Sequence, residues 1–177
     1  MASAIHILNA SAIADEQLLD VSRAVAQVFG LRTDVTRARL GIELAFDPSR
    51  KQYNSTALLA QLVRSYSASQ EKYVAIVAVD LYIPVLTFVF GEAQLDGVAA
   101  VVSSHRLMNQ FYGLARDDRL MLERLGKEAV HELGHTFGLL HCRHFECVMR
   151  SSTYVEEIDL KRNWLCAQCQ AKLDPKR

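Results

Sequence analysis

Residues 131–141 read HELGHTFGLLH and fit the pattern H-E-x-x-H-x-x-G-x-x-H, which constrains the fold more than any other feature of the chain. His131 and His135 are four residues apart, so on an α-helix their imidazoles lie on one face, one turn apart, and can reach a single zinc ion. Gly138 can adopt the left-handed conformation that ends a helix. The chain then turns back, and His141 supplies a third ligand. The pattern predicts a helix ending at Gly138 and a three-histidine metal site.

Glu132 directly follows the first histidine of this pattern. It faces a different direction from the two helical histidines and can reach a water molecule on the open side of the metal. Three neutral protein ligands leave one coordination position free, as in catalytic zinc sites, whereas structural sites are closed by four protein ligands. We therefore predict that Glu132 is the general base of a zinc-assisted hydrolysis. A chance match at five positions is far rarer than a match to H-E-x-x-H alone.

The four cysteines of the chain form a second cluster with the spacing C-x4-C-x18-C-x2-C. The closing C-x-x-C is typical of structural zinc sites, and four thiolates fill a tetrahedral shell. The alternative is a group of buried free thiols. We predict a structural zinc ion, bound by Cys142, Cys147, Cys166 and Cys169. Cys142 directly follows His141, so this ion would fix the loop that carries the third histidine ligand.

The run HELGHTFGLLHCRHFECVM and the later CAQC together resemble the archaemetzincins, a branch of the metzincin zinc peptidases. The resemblance implies a peptide or protein substrate, with aminopeptidase activity suggested for some members. It also implies that Met149 packs beneath the metal site. Metzincins place an edge strand above the zinc, where an extended peptide pairs main chain to main chain, and we expect residues 97–102 to form that strand. Some metzincins have a tyrosine ligand two residues after the methionine; this chain has Ser151 there, so no such ligand is expected.

The apolar periodicity of the chain predicts an α/β (α+β) fold with a mixed twisted sheet and a long active-site helix. The metzincin resemblance implies the same architecture. We divide the chain into residues 1–138, with the sheet and this helix, and a small zinc-bound subdomain at 139–177, with the third ligand, Met149 and the cysteines. The expected strands or extended segments are 4–8, 35–44, 73–81, 86–90 and 97–103, the expected helices are 14–29, 56–66 and 117–137, and 49–54 is expected to be a polar loop.

Several polar residues are assigned lesser roles. Glu128 lies three residues before His131 and could orient it, but a solvated helix carboxylate is the preferred interpretation. Lys161 is expected on a solvated basic face. Asp159 is considered as a hydrogen-bond partner for the outer nitrogen of a ligand histidine. His6 is expected to be a surface or hydrogen-bonded histidine.

Composition limits the partners of the chain. Lys and Arg total 20 and so do Asp and Glu, which gives no electrostatic reason to expect nucleic acid or an anionic membrane. No apolar run is long enough to span a bilayer, and the first residues lack a signal-peptide pattern, so we expect a cytoplasmic protein. The oligomeric state is left open, and a monomer is compatible with the sequence.

The sequence thus predicts a zinc metallopeptidase with two Zn²⁺ ions per chain, one catalytic and one structural. The alternative is a catalytically weak or inactive zinc protein that acts as a peptide- or protein-binding module. Glu132 argues against this alternative, because a protein that merely holds a metal needs no carboxylate at that position.

Overall fold

The structure is a computed structural model and describes residues 2–173 of the chain. Its strands are β1 (Ala4–Asn9), β2 (Arg32–Arg37), β3 (Phe46–Asp47), β4 (Gln52–Asn54), β5 (Lys72–Val77), β6 (Leu81–Tyr82), β7 (Gly91–Ala93) and β8 (Ala99–Ser103). Its helices are α1 (Asp15–Phe29), α2 (Ser55–Tyr66), α3 (Asp118–Thr136), α4 (Val155–Leu160) and α5 (Ala167–Leu173), with 3₁₀ turns at Ile42–Ala45, His105–Leu107 and Asn109–Tyr112.

Five of the strands form one mixed sheet in the order β2-β1-β5-β8-β7. The first four run parallel, and β7 pairs antiparallel with β8 at the edge. Successive residues of β5 alternate between the two faces: Val74 and Ile76 pack with α1 and α3, whereas Ala75 and Val77 pack with α2. Coverage of both faces explains why this strand is almost wholly apolar. The mixed α/β prediction is confirmed.

The boundaries of some segments differ from the prediction. The expected strand at 35–44 is wrong beyond residue 37: β1 ends at Asn9, so the chain loses its pairing partner there and forms a 3₁₀ turn at Ile42–Ala45. The expected loop at 49–54 contains β4. Residues 86–90 form no named strand and make a single antiparallel bridge, between Val89 and Leu81.

The prediction that residues 97–102 form the edge strand is also wrong. Those residues overlap β8, which lies between β5 and β7 and is buried along its whole length. The edge strand on this side of the sheet is β7, whose three residues are half-buried. An apolar strand covered on both faces and paired on both sides belongs to the interior of a sheet, and the less apolar GEA segment takes the edge.

The C-terminal segment packs on the same core as the active-site helix. Met149, Ile158 and Leu165 belong to one buried cluster with Leu133 of α3 and Val102 of β8. Residues 174–177 of the subdomain proposed at 139–177 lie outside the described residues. Within residues 2–173, no helix has the length and apolar character needed to cross a membrane.

His6 on β1 is a hydrogen-bonded histidine, as expected. Its Nδ1 lies 3.0 Å from the Asp34 carboxylate and its Nε2 lies 2.6 Å from that of Glu71, so the ring links β1 to β2 and to the residue before β5. Burial acts to lower the pKa of His6, but the hydrogen bonds to Glu71 and Asp34 outweigh it and raise the pKa above 6.5. Protonated His6 can donate to both carboxylates.

A raised pKa in the folded protein means that His6 stabilises the fold fully below pH 6.5 and progressively less as the pH rises through its folded pKa. His6→Phe keeps a ring to stack on Tyr73 and removes both hydrogen bonds. We expect it to lower the free energy of unfolding by about 1–2 kcal/mol at pH 5.5 and by less at pH 8.5, measured by urea denaturation. His105→Phe is the control, and an equal cost for His6→Phe at both pH values would contradict the prediction.

Candidate active site

Helix α3 presents the first two histidines of the motif. Asp117 caps its N-terminal end, and the Asp117 carboxylate accepts a hydrogen bond from the amide of Leu120 at 2.9 Å. It ends as predicted: Phe137 caps the helix, and Gly138 follows with a φ of +79°. This conformation favours glycine and lets the chain turn back towards the helix, which brings His141 to the same side as His131.

The three histidines converge on one point. One ring nitrogen from each of His131, His135 and His141 lies within 4.8 Å of the others, and the Nε2 atoms of the first two are 3.2 Å apart. Three nitrogens bound tetrahedrally at zinc distances of about 2.0–2.1 Å would be about 3.3 Å apart, so the donor set fits a zinc ion.

The outer nitrogens of the two helical histidines are fixed by backbone carbonyls. Nδ1 of His131 lies 2.8 Å from the carbonyl oxygen of Val148, and Nδ1 of His135 lies 2.7 Å from that of Leu139. A carbonyl oxygen can only accept, so each Nδ1 donates its proton, and each Nε2 keeps a lone pair for a metal. The suggestion that Asp159 bonds a ligand histidine is wrong, because its carboxylate pairs with Arg124 at 2.7 Å.

Burial keeps these imidazoles neutral. It lowers the pKa of all three, most strongly for His131, and the nearby charge of Lys161 acts in the same direction. A neutral imidazole is the form that coordinates zinc, so no proton has to leave the histidines at neutral pH before a metal binds.

Glu132 lies beside the histidines and directly against the edge strand. A Cβ placed on Gly91 would lie 2.7 Å from Cγ of Glu132 and 2.7 Å from the carbonyl oxygen of Val101. Burial raises the pKa of Glu132 well above its usual value, and the carboxylates of Glu128 and Glu92 act in the same direction, while Lys161 opposes them. Because a Cβ on residue 91 would collide with Glu132, the glycine at this position makes room for the carboxylate.

Glu132 and two of the histidines line a cleft of about 310 Å³. Its lining consists of residues 86–91, residues 151–153, Glu128, His131, Glu132 and His141. A larger hollow of about 840 Å³ lies between α1 and α3 and is lined by none of the histidines. The smaller cleft is the candidate active site, because Glu132 and two of the histidines line it.

The edge strand leaves main-chain groups available beside the cleft. Phe90 accepts a hydrogen bond from the amide of Ser103, and Gln94 donates one to the carbonyl of Ala99. Antiparallel pairing alternates, so the amide and carbonyl groups of Gly91 and Ala93 point away from β8. An extended peptide could pair with them.

The four cysteines also converge. One sulfur from each of the four lies within 4.8 Å of the others, and those of Cys142 and Cys166 are 3.7 Å apart. This distance is far too long for a disulfide, but it is close to the spacing of about 3.8 Å expected for thiolates bound tetrahedrally at about 2.3 Å from zinc. Burial acts to raise the pKa of Cys166, but hydrogen bonds from the Cys169 amide and the neighbouring thiols lower it to about 7.

Two charged residues lie where they were not expected. Glu128 and Lys161 are both buried, and Nζ of Lys161 donates to Oε1 of Glu128 at 2.9 Å. The prediction that both are solvated is wrong. A sequence signal for Lys161 existed: it lies three residues beyond Ile158, which in turn lies three beyond Val155, so it continues their buried stripe.

Comparison with known proteins decides the family. Residues 15–175 match the family model described as Peptidase family M54. The chain belongs to this family, the archaemetzincins. An archaemetzincin of Methanocaldococcus jannaschii is 37% identical over 159 residues, which cover 90% of this chain and 86% of the relative. The family assignment makes the chain a zinc metallopeptidase and confirms the resemblance deduced from the motifs.

Solved structures confirm the metzincin-like fold. A zinc-dependent peptidase from Methanocorpusculum labreanum superimposes with a TM-score of 0.86 at 31% identity, covering 96% of this chain and 99% of that one. An archaemetzincin from Methanopyrus kandleri gives a TM-score of 0.84 at 34% identity, covering 99% of this chain and 95% of that one.

The contact between Gly91 and Glu132 predicts the effect of a single methyl group. Gly91→Ala should displace Glu132 or the edge strand and lower kcat/KM of the zinc-loaded protein on a peptide substrate about 100-fold, with the zinc content unchanged.

Gly126→Ala on α3 is the matched control, since its new Cβ would meet only Cβ of Ala24, at an ordinary 3.6 Å. It should leave kcat/KM unchanged and raise the free energy of unfolding by up to about 1 kcal/mol. Wild-type turnover in Gly91→Ala would refute the packing argument.

Proposed function

We propose that His131, His135 and His141 bind the catalytic zinc ion of this metallopeptidase and that Glu132 is its general base. The observation that carries the proposal is the convergence of three ring nitrogens within 4.8 Å beside the carboxylate of Glu132. When bound, zinc polarises the scissile carbonyl, lowers the pKa of water, and by its charge favours the ionised form of Glu132.

The residues of the chain supply orientation and proton transfer. The outward main-chain groups of Gly91 and Ala93 pair with an extended substrate and hold its scissile bond over the floor of the cleft. Glu132 accepts a proton from the attacking water and then delivers it to the departing amine. Because Glu132 is buried, bulk water competes little for this proton.

The substrate is a peptide or protein, and the family resemblance suggests aminopeptidase action. An aminopeptidase requires a free α-amino group, whereas an endopeptidase does not. Comparing kcat/KM for a peptide and its N-acetylated form therefore distinguishes the two. A binding module without turnover is the alternative function, and such a module has no use for a carboxylate at Glu132.

Glu132→Gln tests the general base directly. The amide has nearly the same shape but cannot accept the proton, so turnover on a peptide library should fall about 100-fold or more while the zinc content is unchanged. Glu123→Gln, an exposed position on the same helix, is the control and should retain full activity. Loss of zinc from Glu132→Gln would show that this residue serves the metal rather than the proton transfer.

We further propose that Cys142, Cys147, Cys166 and Cys169 hold a structural zinc ion, so that the chain binds two ions. The sulfur spacing of 3.7 Å supports this, as does the hydrogen bond of 2.9 Å from the amide of Cys142 to the carbonyl of Met149, which places the cysteine loop against the active site. The cysteines thus anchor the residue that follows the third histidine.

Variants that each lack one proposed ligand should distinguish the structural zinc ion from the catalytic one. Cys169→Ser should lower the zinc content from two to one per chain and cost more than about 4 kcal/mol of unfolding free energy, because the C-terminal segment loses its cross-link. His141→Ala should also lose one zinc but cost much less stability. Elemental analysis and thermal unfolding provide the two measurements, and one zinc or none in the wild-type protein would refute the two-ion proposal.

A further inference from the structure

Lys161, at the C-terminal end of α4, has a side chain that is 0% exposed. Its ammonium donates to Oε1 of Glu128 at 2.9 Å and to the carbonyl oxygen of Arg150 at 3.1 Å. Desolvation of a buried ion pair costs about as much as the attraction returns, so an apolar contact would serve stability equally well. Stability alone therefore does not explain why an ion pair is buried here. The positions of the two groups that Lys161 bonds, Glu128 and the carbonyl of Arg150, point to a role in the active site.

One partner lines the cleft, and the other directly precedes a segment that lines it. Glu128 lies on α3 one turn before Glu132 and lines the cleft. Arg150 immediately precedes residues 151–153, which line the cleft and are called its wall below. The ammonium of Lys161 therefore connects the helix that carries Glu132 to the segment that leads into this wall.

Three consecutive backbone carbonyls, at residues 148, 149 and 150, fix the turn that leads into this wall. They accept hydrogen bonds from Nδ1 of His131 (2.8 Å), the amide of Cys142 (2.9 Å) and Nζ of Lys161 (3.1 Å). The first two bonds tie the turn to the helix and to the loop of the third histidine. The bond from Lys161 is the last of the three before the chain enters the wall, so it sets where the wall begins.

Lys161 also balances a charge. Glu128 and Glu132 lie on consecutive turns of α3 and both are buried, so two ionised carboxylates there would repel each other. The ammonium is bonded to Glu128, and within residues 2–173 Glu132 has no salt bridge. The ion pair holds the Glu128 carboxylate towards α4. Glu132 is then the carboxylate that is available to a substrate in the cleft.

We propose that Lys161 is a positioning residue for peptide hydrolysis: its ammonium holds residues 151–153 and Glu128 at the spacing that lets a substrate peptide lie over Glu132. Lys161 acts through these groups and touches no reacting atom. The inference rests on the proposed function for its catalytic consequence, but the position of the wall can be measured without turnover.

The experiment compares three variants with the wild type. Lys161→Met removes the charge and keeps most of the side-chain length. Lys161→Met combined with Glu128→Gln removes both charges and so avoids a buried, unpaired carboxylate. Lys127→Met is the matched control, because Lys127 also joins α3 to α4, through bonds to the carbonyls of Ile158 and Asp159, but bonds neither Glu128 nor the carbonyl of residue 150.

In the double variant we expect thermal stability and zinc content near those of the wild type. KM should rise about tenfold, with kcat changed by less than about threefold, because the wall positions the substrate rather than the reacting atoms. Lys161→Met alone should also lower kcat, since Glu128 is then unpaired beside Glu132. Lys127→Met should retain wild-type KM and kcat. A double variant with wild-type KM would overturn the proposal, because the pair would then contribute only to folding.

Amide hydrogen exchange supplies the readout that needs no turnover. Residues 151–153 should exchange about tenfold faster in the double variant than in the wild type or Lys127→Met. If the wild type hydrolyses no peptide, the proposed function fails, and exchange alone then decides the role of Lys161. Unchanged exchange at these residues would overturn it.

Discussion

The hydrogen bonds that fix the outer nitrogens of His131 and His135 are the constraint on which the site depends. Each imidazole could present either nitrogen to a metal, and the carbonyls of Val148 and Leu139 select Nε2 for both. Leu139 lies just past the glycine turn, and Val148 lies on the segment that returns beneath the helix. The turn at Gly138 thus delivers the third histidine and also a carbonyl that orients the second, so the site forms only when the C-terminal segment is folded against α3.

The same dependence extends to the sheet and the core. Met149 fits against Gly134, where an added Cβ would collide with its sulfur, so a glycine on the helix admits the methionine beneath the histidines. On the other side of α3, Gly91 lets the edge strand approach Glu132. Two glycines therefore allow close packing above and below one turn of helix, and that packing holds the carboxylate and the imidazoles with little freedom to move.

The features that depend on residues close together in the sequence were predicted, whereas those that depend on distant residues were not. The helix, its end and the convergence of the three histidines follow from spacings within eleven residues, and they were predicted. The metzincin resemblance implied an edge strand, which was assigned to residues 97–102, but the order of strands depends on pairing between distant parts of the chain. Glu128 and Lys161 are 33 residues apart, and no local pattern shows that a lysine and a glutamate so separated share one buried site. The preference of charged residues for water favoured the wrong interpretation for both.

The adjacency of His141 and Cys142 has a consequence for which changes of chain length the family can tolerate. One inserted residue adds about 3.3–3.6 Å of chain, more than a zinc–ligand bond is long, so an insertion between these two residues would pull one of them out of its proposed zinc site. The segment before α3 has no such restriction, since residues 111–117 are exposed and contribute no ligand. Length variation among relatives should therefore accumulate there and be absent between the third histidine and the first cysteine.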